Sequence, residues 1–476
     1  MNNIKFGTDG WRAVIAKDYT FENLNIVTQA TARWIQDEEI TSNGVVIGYD
    51  ARFMSRQFAE HVASIFAAME IPVRMTDTIS PTPAVSWGAV TWDAVGVVIT
   101  ASHNPPEYNG FKIKAPFGGP ATPDQIAAVE ARYDRFNPSL TVQPYSHYLK
   151  AGTIREIDMT QQYLDDVRQK IDLEAIRASG IKIAHDPMYG SSRTLIRELL
   201  GDERVMEIHG EINPSFGGTA PEPIEKNLGE LSQLVKEKGC AVGLANDGDA
   251  DRIGMVDERG EFVNSHQILS LLTKYLSQEK GLTGAIVKTF STTNMLDKQA
   301  EAYNLPIRIT PIGFKYVGEI IIEEDVLVGG EESGGLAVKG HIPERDGIFI
   351  GLLITEMVVK TGKTLSELVQ ELFDDFGVHA TWRNDLHTSD DKKEAMMAFC
   401  RDRQLTSLNG KNVVDWKFTD GVKHILEDGS WLLVRPSGTE PVLRIYSEAA
   451  SEEEAAAIVE EASAWVDKPE ILTRAE

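Results

Sequence analysis

Four times along this 476-residue chain an apolar, strand-like run stops abruptly at a polar loop. The stops fall at Ser102, Asp247, Gly329 and Arg435, after the runs 95–99, 241–245, 326–328 and 431–434. A short, continuous apolar run bounded by turn residues fits a strand buried on both faces, and such strands belong to parallel or mixed sheets under covering helices. Helical patterns alternate with them: 21–36, 55–69 (with Ser55 as N-cap), 159–171, 191–200, 228–237, 266–277, 295–303, 347–360, 364–376, 392–403 and 452–465. The fold class is therefore α/β. In open α/β sheets, ligands bind beyond the carboxyl ends of strands. If the units face one another, the four loops line a single central cleft.

Each loop has a chemistry of its own. Ser102 stands just past a strand end with His103 beside it and Lys112 ten residues on, the make-up of a nucleophile site. On this segment alone, a loop serine in an Asn-Pro turn is the simpler reading. Asp247, Asp249 and Asp251 alternate, so in a turning segment their carboxylates can converge on one hard cation, Mg²⁺ or Ca²⁺. An EF-hand is excluded, because Arg252 stands where that loop needs glycine and the flanks read as strands. Arg252 suits a phosphate near the metal. Gly330-Glu331-Glu332-Ser333-Gly334 suits vicinal hydroxyls such as a sugar's, and equally a flexible turn.

Arg435, Ser437, Gly438 and Thr439, with Arg444 nearby, combine guanidinium, hydroxyls and open backbone N–H groups into an anion nest. The spacing is not that of a P-loop. The opening 5–12 stretch is turn chemistry with Arg12 within reach of an anion, or an ordinary surface turn. The net charge of −25 repels duplex nucleic acid, so an anionic substrate needs a locally basic pocket. Two cysteines, Cys240 and Cys400, make neither a disulfide framework nor a zinc set. No apolar run approaches the roughly 18 residues of a membrane span, and the N-terminus lacks a signal-peptide core. The expectation is a cytoplasmic protein without nucleic-acid or membrane partners, a monomer or a homodimer.

Taken together and in order, Thr100-Ala101-Ser102-His103-Asn104-Pro105, Asp247-Gly248-Asp249-Ala250-Asp251-Arg252, Gly330-Glu331-Glu332-Ser333-Gly334 and Arg435-Pro436-Ser437-Gly438-Thr439-Glu440-Pro441 resemble the α-D-phosphohexomutases. The opening Phe6-Gly7-Thr8-Asp9-Gly10 matches as well, so the resemblance spans nearly the whole chain. It implies four domains: 1–150 with the phosphoserine, 151–262 with the metal, 263–378 with the sugar and 379–476 with the phosphate. The first three are related α/β mixed-sheet units and the last is α+β.

The resemblance implies an enzyme that interconverts glucose 1-phosphate and glucose 6-phosphate, with glucose 1,6-bisphosphate as intermediate and activator. Ser102 would carry the phosphoryl group, and Asp247, Asp249 and Asp251 would hold Mg²⁺ together with a phosphoryl oxygen on Ser102. Arg12, Lys112 and Arg252 would lie near the phosphoserine, with Lys112 a candidate for proton transfer. Glu331 and Ser333 would read sugar hydroxyls, with His341 and Arg345 completing that site. Arg435, Ser437, Gly438 and Thr439 would grip the phosphate not being transferred. Members that read glucose and mannose phosphates, or glucosamine phosphate, often carry a histidine where this chain has Gly335, so glucose is preferred here over a phosphomannomutase or dual-specificity mutase, over glucosamine or pentose phosphates and over simple phosphate release.

Overall fold

The computed structural model describes residues 4–7, 9–437 and 442–468. The chain divides into two compact units, Met1–Val287 with Gly313–Leu368, and Lys288–Ile312 with Val369–Glu476. In the first unit a six-stranded mixed sheet runs in the order Trp11–Val14, Tyr108–Lys114, Val95–Ile99, Val45–Tyr49, Val73–Thr76, Ile154–Ile157. Val45–Tyr49 lies parallel to both Val95–Ile99 and Val73–Thr76, while Tyr108–Lys114 turns back antiparallel on Val95–Ile99. The sheet draws its last strand from beyond residue 150. Val45–Tyr49 and Val95–Ile99 are buried along their whole length, as continuous apolar runs under two helical layers require.

A second mixed sheet has the order Phe262–Val263, Ile253–Asp257, Val242–Asn246, Ile183–Asp186, Val205–Glu207. Its central hairpin pairs Asn246 with Ile253, so Asp247–Arg252 is the connecting loop. Strands flank the three aspartates on both sides. Farther on, Val326–Gly330 and Leu336–Val338 pair antiparallel from Gly330↔Leu336, which makes Glu331–Gly335 a hairpin loop. The helix Gly347–Thr361 is buried from Gly347 to Val358 and is N-capped by Asp346, whose side chain accepts from Phe349 N at 2.9 Å.

The second unit contains a six-stranded sheet in the order Ala380–His387, Val442–Ala449, Trp431–Pro436, Val422–Leu426, Lys411–Lys417, Ser407–Leu408. Its strand pairings are all antiparallel. The helices Asp390–Arg401 and Glu452–Trp465 belong to the same unit. Their apolar faces, including Met396, Cys400, Ile458 and Val459, join Leu432, Val434, Leu443 and Ile445 in one core. Both cysteines are free and buried. Among the described residues, no helix is long and apolar enough to cross a membrane.

Two local expectations are corrected. Ser55 does not cap its helix: the N-cap is Met54, and the Ser55 hydroxyl donates instead to Asp50 Oδ1 at 2.8 Å. The helix expected over 191–200 is confined to Leu195–Leu200, because Thr194 takes a left-handed backbone, φ +66°, that interrupts it. Ser191 N donates to the Gly248 carbonyl at 3.0 Å.

Candidate active site

Ser102 lies three residues past the end of the strand Val95–Ile99 and adopts a left-handed backbone, φ +52°. Such a conformation in a non-glycine residue persists only where its surroundings over-determine it. Ser102 N donates to Thr100 Oγ1 at 2.8 Å, and its hydroxyl donates to Asp247 Oδ2 at 2.6 Å. His103 Nδ1 lies 3.5 Å from the same hydroxyl. Burial, then the cations Arg252, Arg12, Lys112 and Arg52, hold the His103 imidazole well below its ordinary pKa, so it is neutral at pH 7. The serine loop packs directly on the aspartate loop. A Cβ on Gly248 would lie 2.5 Å from the Ser102 carbonyl oxygen, so only glycine fits between the two acids.

Asp247, Asp249 and Asp251 are fully buried and each offers an oxygen, all within 4.8 Å of one another. Asp249 Oδ1 and Asp251 Oδ1 have no hydrogen-bond partner. Buried carboxylate oxygens without partners are costly unless a cation satisfies them. The donor set, all hard oxygens, therefore fits Mg²⁺. Burial and the neighbouring Asp251 and Asp249 push the Asp247 carboxyl well above its ordinary value.

The Oδ2 atoms of Asp249 and Asp251 are held by the chain's own cations. Lys112 Nζ, fully buried, lies 2.7 Å from Asp249, 2.8 Å from Asp251 and 2.7 Å from Asp9. Burial alone would lower the Lys112 pKa, but Asp249, Asp251 and Asp9 outweigh it and raise it, so the group stays an ammonium. Arg345 reaches the same cluster, 2.8 Å from Asp251 and in contact with Asp9. Burial pushes Asp9 up, but Arg345, Lys112 and Lys114 together hold it well below the usual carboxylate range. Thr82 Oγ1 donates to Asp249 Oδ2 at 2.5 Å. Lys114 pairs with Glu344 at 2.5 Å and with Asp9 at 3.5 Å. Asp9 and Glu344 fall within matching stretches but were given no role, and Thr82 and Lys114 were not singled out; most of their partners are a hundred or more residues away, and local spacing carries no signal for that.

The Glu331–Gly335 hairpin loop docks on this cluster. Ile253 N donates to the Gly334 carbonyl at 3.1 Å. Glu331 is buried and lies 3.9 Å from Arg345. Burial raises its pKa, against Arg345, to about 7. Gly335 leaves room for Arg345: a Cβ there would lie 2.3 Å from Arg345 Cδ. Gly330 is a packing position, its missing Cβ replaced by Leu336 and Leu269, and Ser333 is half-buried on the loop.

Of the pair expected to complete the sugar site, the structure brings in Arg345 and leaves His341 out. His341 stacks on Phe349 at 3.9 Å, and its Nε2 bonds Asp346 at 2.7 Å. Asp346 also accepts from Tyr163, which makes this a helix-cap assembly. Arg12 Nη1 donates to Asn104 Oδ1 at 2.8 Å, in the serine loop. Arg252 lies 3.7 Å from Glu222, and its amide donates to Asp247 Oδ1 at 3.1 Å.

In the second unit, Arg435 and Arg444 stand directly opposite each other on paired strands. Like charges in that register destabilise a sheet unless anions lie between or beside them. Asp420 pairs with Arg435 at 2.9 Å, and Asp385 approaches Arg444 at 3.9 Å. Ser437 is buried beside them in the chain. Gly438 and Thr439 lie outside the described residues.

The chain matches four family profiles in order: phosphoglucomutase/phosphomannomutase alpha/beta/alpha domain I over residues 3–138, domain II over 161–260, domain III over 264–376, and the C-terminal domain over 389–464. A phosphoglucomutase/phosphomannomutase of Thermococcus kodakarensis is 32% identical, covering 94% of this chain and 95% of the relative. A Pyrococcus furiosus protein assigned as a phosphoglucosamine mutase is 31% identical, with 97% of each chain covered. The crystal structure of a Thermus thermophilus protein assigned to the phosphomannomutases superposes with a TM-score of 0.85 at 34% identity, covering 98% of this chain and 99% of the other.

Proposed function

This chain belongs to the phosphoglucomutase/phosphomannomutase family, an enzyme of the phosphohexomutase class, and from that premise we propose that it interconverts glucose 1-phosphate and glucose 6-phosphate through a phosphoserine at Ser102. The observation that carries this reading is the Ser102 hydroxyl on Asp247, the edge of a buried three-carboxylate cluster backed by Lys112 and Arg345. Phosphoryl transfer needs positioning and charge neutralisation more than it needs covalent chemistry. Ser102 is positioned by its strained backbone, and the charge is supplied by Lys112, Arg12 and Arg252. Mg²⁺ on Asp247, Asp249 and Asp251 would add Lewis acidity toward the phosphoryl oxygens.

In the proposed sequence, the phosphoryl group leaves the Ser102 oxygen for a sugar hydroxyl, giving glucose 1,6-bisphosphate. The bisphosphate turns around, and Ser102 recovers the other phosphoryl group. Lys112, kept protonated by three carboxylates, is the candidate for returning a proton to the serine oxygen. Glu331 and Ser333 are the proposed readers of the sugar hydroxyls. Arg435 and Ser437, with Gly438, Thr439 and Arg444, are the proposed grip on the second phosphate. The preference for glucose draws support from Gly335, since the Arg345 stem occupies the space a histidine would need.

A coupled assay of glucose 1-phosphate conversion, with Mg²⁺ and a trace of glucose 1,6-bisphosphate, tests the proposal. Mannose 1-phosphate, glucosamine 1-phosphate and a phosphate-release assay run in parallel, with Ser102→Ala as control. Glucose turnover lost in Ser102→Ala is the expected result. Faster turnover of mannose or glucosamine phosphate would move the substrate, and phosphate release without isomerisation would replace the mutase reading.

A further inference from the structure

The buried side chain that holds the serine loop in place is Arg52, a residue that carries no role in the site described above. Arg52 follows the strand Val45–Tyr49, and both its side chain and that of Asp50 are fully buried, with Nε 3.2 Å from Asp50 Oδ2. The guanidinium fork then reaches four backbone carbonyls of one loop. Nη2 donates to Ser102 O at 2.5 Å and to Asn104 O at 2.6 Å. Nη1 donates to Pro105 O at 2.8 Å and to Tyr108 O at 3.2 Å. The Phe216 ring, from the second sheet's side of the unit, covers the guanidinium at 4.8 Å.

Asp50 completes the frame. Its Oδ2 accepts from Thr100 Oγ1 at 2.6 Å, and that hydroxyl oxygen accepts from Ser102 N at 2.8 Å. Both peptide groups flanking the Ser102 α-carbon are therefore pinned, the N–H through Thr100 to Asp50 and the carbonyl directly by Arg52. A planar arginine fork suits several acceptors in fixed directions, where a lysine ammonium acts as a point charge.

We infer that Arg52, acting through Asp50 and Thr100, is the positioning residue of Ser102, keeping its left-handed backbone so that the hydroxyl meets the phosphoryl group in line. The inference rests on Ser102 being the phosphorylated residue. An ångström of misplacement in a reacting group costs on the order of 100-fold in rate.

The test is the first-order rate constant for Ser102 phosphorylation by saturating glucose 1,6-bisphosphate, in single turnover and read by intact mass. In that step the phosphoryl group replaces the Ser102 hydroxyl proton and a glucose monophosphate leaves with the proton. A fraction of enzyme that is permanently inactive lowers the amplitude and not the first-order constant, and circular dichroism at the assay temperature checks that the variant is fully folded, so a merely structural role leaves the constant unmoved. Arg52→Lys, which keeps the charge, is expected to lower it about 30- to 100-fold. The KM for glucose 1-phosphate should stay within about threefold, the signature of a lost transition-state arrangement. Thr100→Val, nearly isosteric, is expected to lower the constant about tenfold and serves as the deciding variant if Arg52→Lys does not fold. Wild-type constants in the folded variants would overturn the inference. Ser102→Ala that still takes up phosphate would overturn the serine reading beneath it, and the inference with it.

Discussion

Lys112 and a divalent cation have claims on the same carboxylates, and Lys112→Met exposes the competition. The ammonium lies 2.7–2.8 Å from Asp9, Asp249 and Asp251. At an effective dielectric of about 20, one such contact represents about 6 kcal/mol of gross attraction. Most of that is offset by desolvation, but removing one partner of a buried pair leaves the other uncompensated and costs about 3–5 kcal/mol. Methionine keeps the length of the side chain and removes the charge. Asp9 and Asp251 would keep Arg345, and Asp249 would keep the Thr82 hydroxyl. In EDTA the variant should therefore unfold about 3–5 kcal/mol more easily than the wild type in denaturant titrations. Magnesium at about 100 times its dissociation constant stabilises a folded protein by about 2.7 kcal/mol. The variant, with the more negative cluster, should bind Mg²⁺ more tightly and gain more from a given concentration. Equal stability in EDTA, or equal gains with Mg²⁺, would refute the idea that the ammonium neutralises the metal carboxylates.

Two further outcomes are expected. Gly335→His places a Cβ 2.3 Å from Arg345 Cδ, so the arginine must leave Asp251 and Asp9. Glucose 1-phosphate kcat/KM should fall by about tenfold or more with Gly335→Ala intermediate, and unchanged kinetics in both would show that Arg345 is not held by that gap. Glu331, raised to about 7 by burial, holds a proton in the folded chain that the unfolded carboxyl loses near pH 4.3. Its contribution to stability is thus present below that pH and is lost as pH rises through about 7. In the proposed hydroxyl-reading role function runs the other way, because an ionised carboxylate accepts a sugar hydroxyl more strongly than the protonated acid. KM should fall as pH rises through 7, and Glu331→Gln should flatten that limb.

The sequence was most informative where chemistry is local. Alternating Asp247, Asp249 and Asp251 can converge in a turn between strands, and Arg252 with the flanking strands excluded the helical calcium loop. The stops of apolar strands located the serine loop and the Glu331–Gly335 loop for the same reason. Proximity in sequence misled at His341. Four residues from Arg345, it faces Phe349 and Asp346 because the helix cap claims its ring. It misled again at Ser55, whose hydroxyl found the buried Asp50 before its own helix. The roles of Arg52, Asp9 and Glu344 were illegible, since nothing adjacent to them in the chain predicts partners about 50 to 336 residues away. Gly335 could be noticed as a departure from a pattern, but the reason for it, the passage of an arginine stem, exists only in three dimensions.

The Asp9–Arg345 contact spans 336 residues of chain. At about 5–20 residues per second, a ribosome needs roughly 15–70 s to deliver the arginine after the aspartate. Throughout that interval the N-terminal sheet can assemble its apolar layers, yet Lys112 and Asp9 wait for the aspartates and the arginine that complete their charge balance. The nascent chain therefore carries a half-built, hydrated polar seam until most of the protein has been made. A product of an early stop codon before residue 345 would lack both Arg345 and the buried helix Gly347–Thr361, and would keep an unbalanced polar interior.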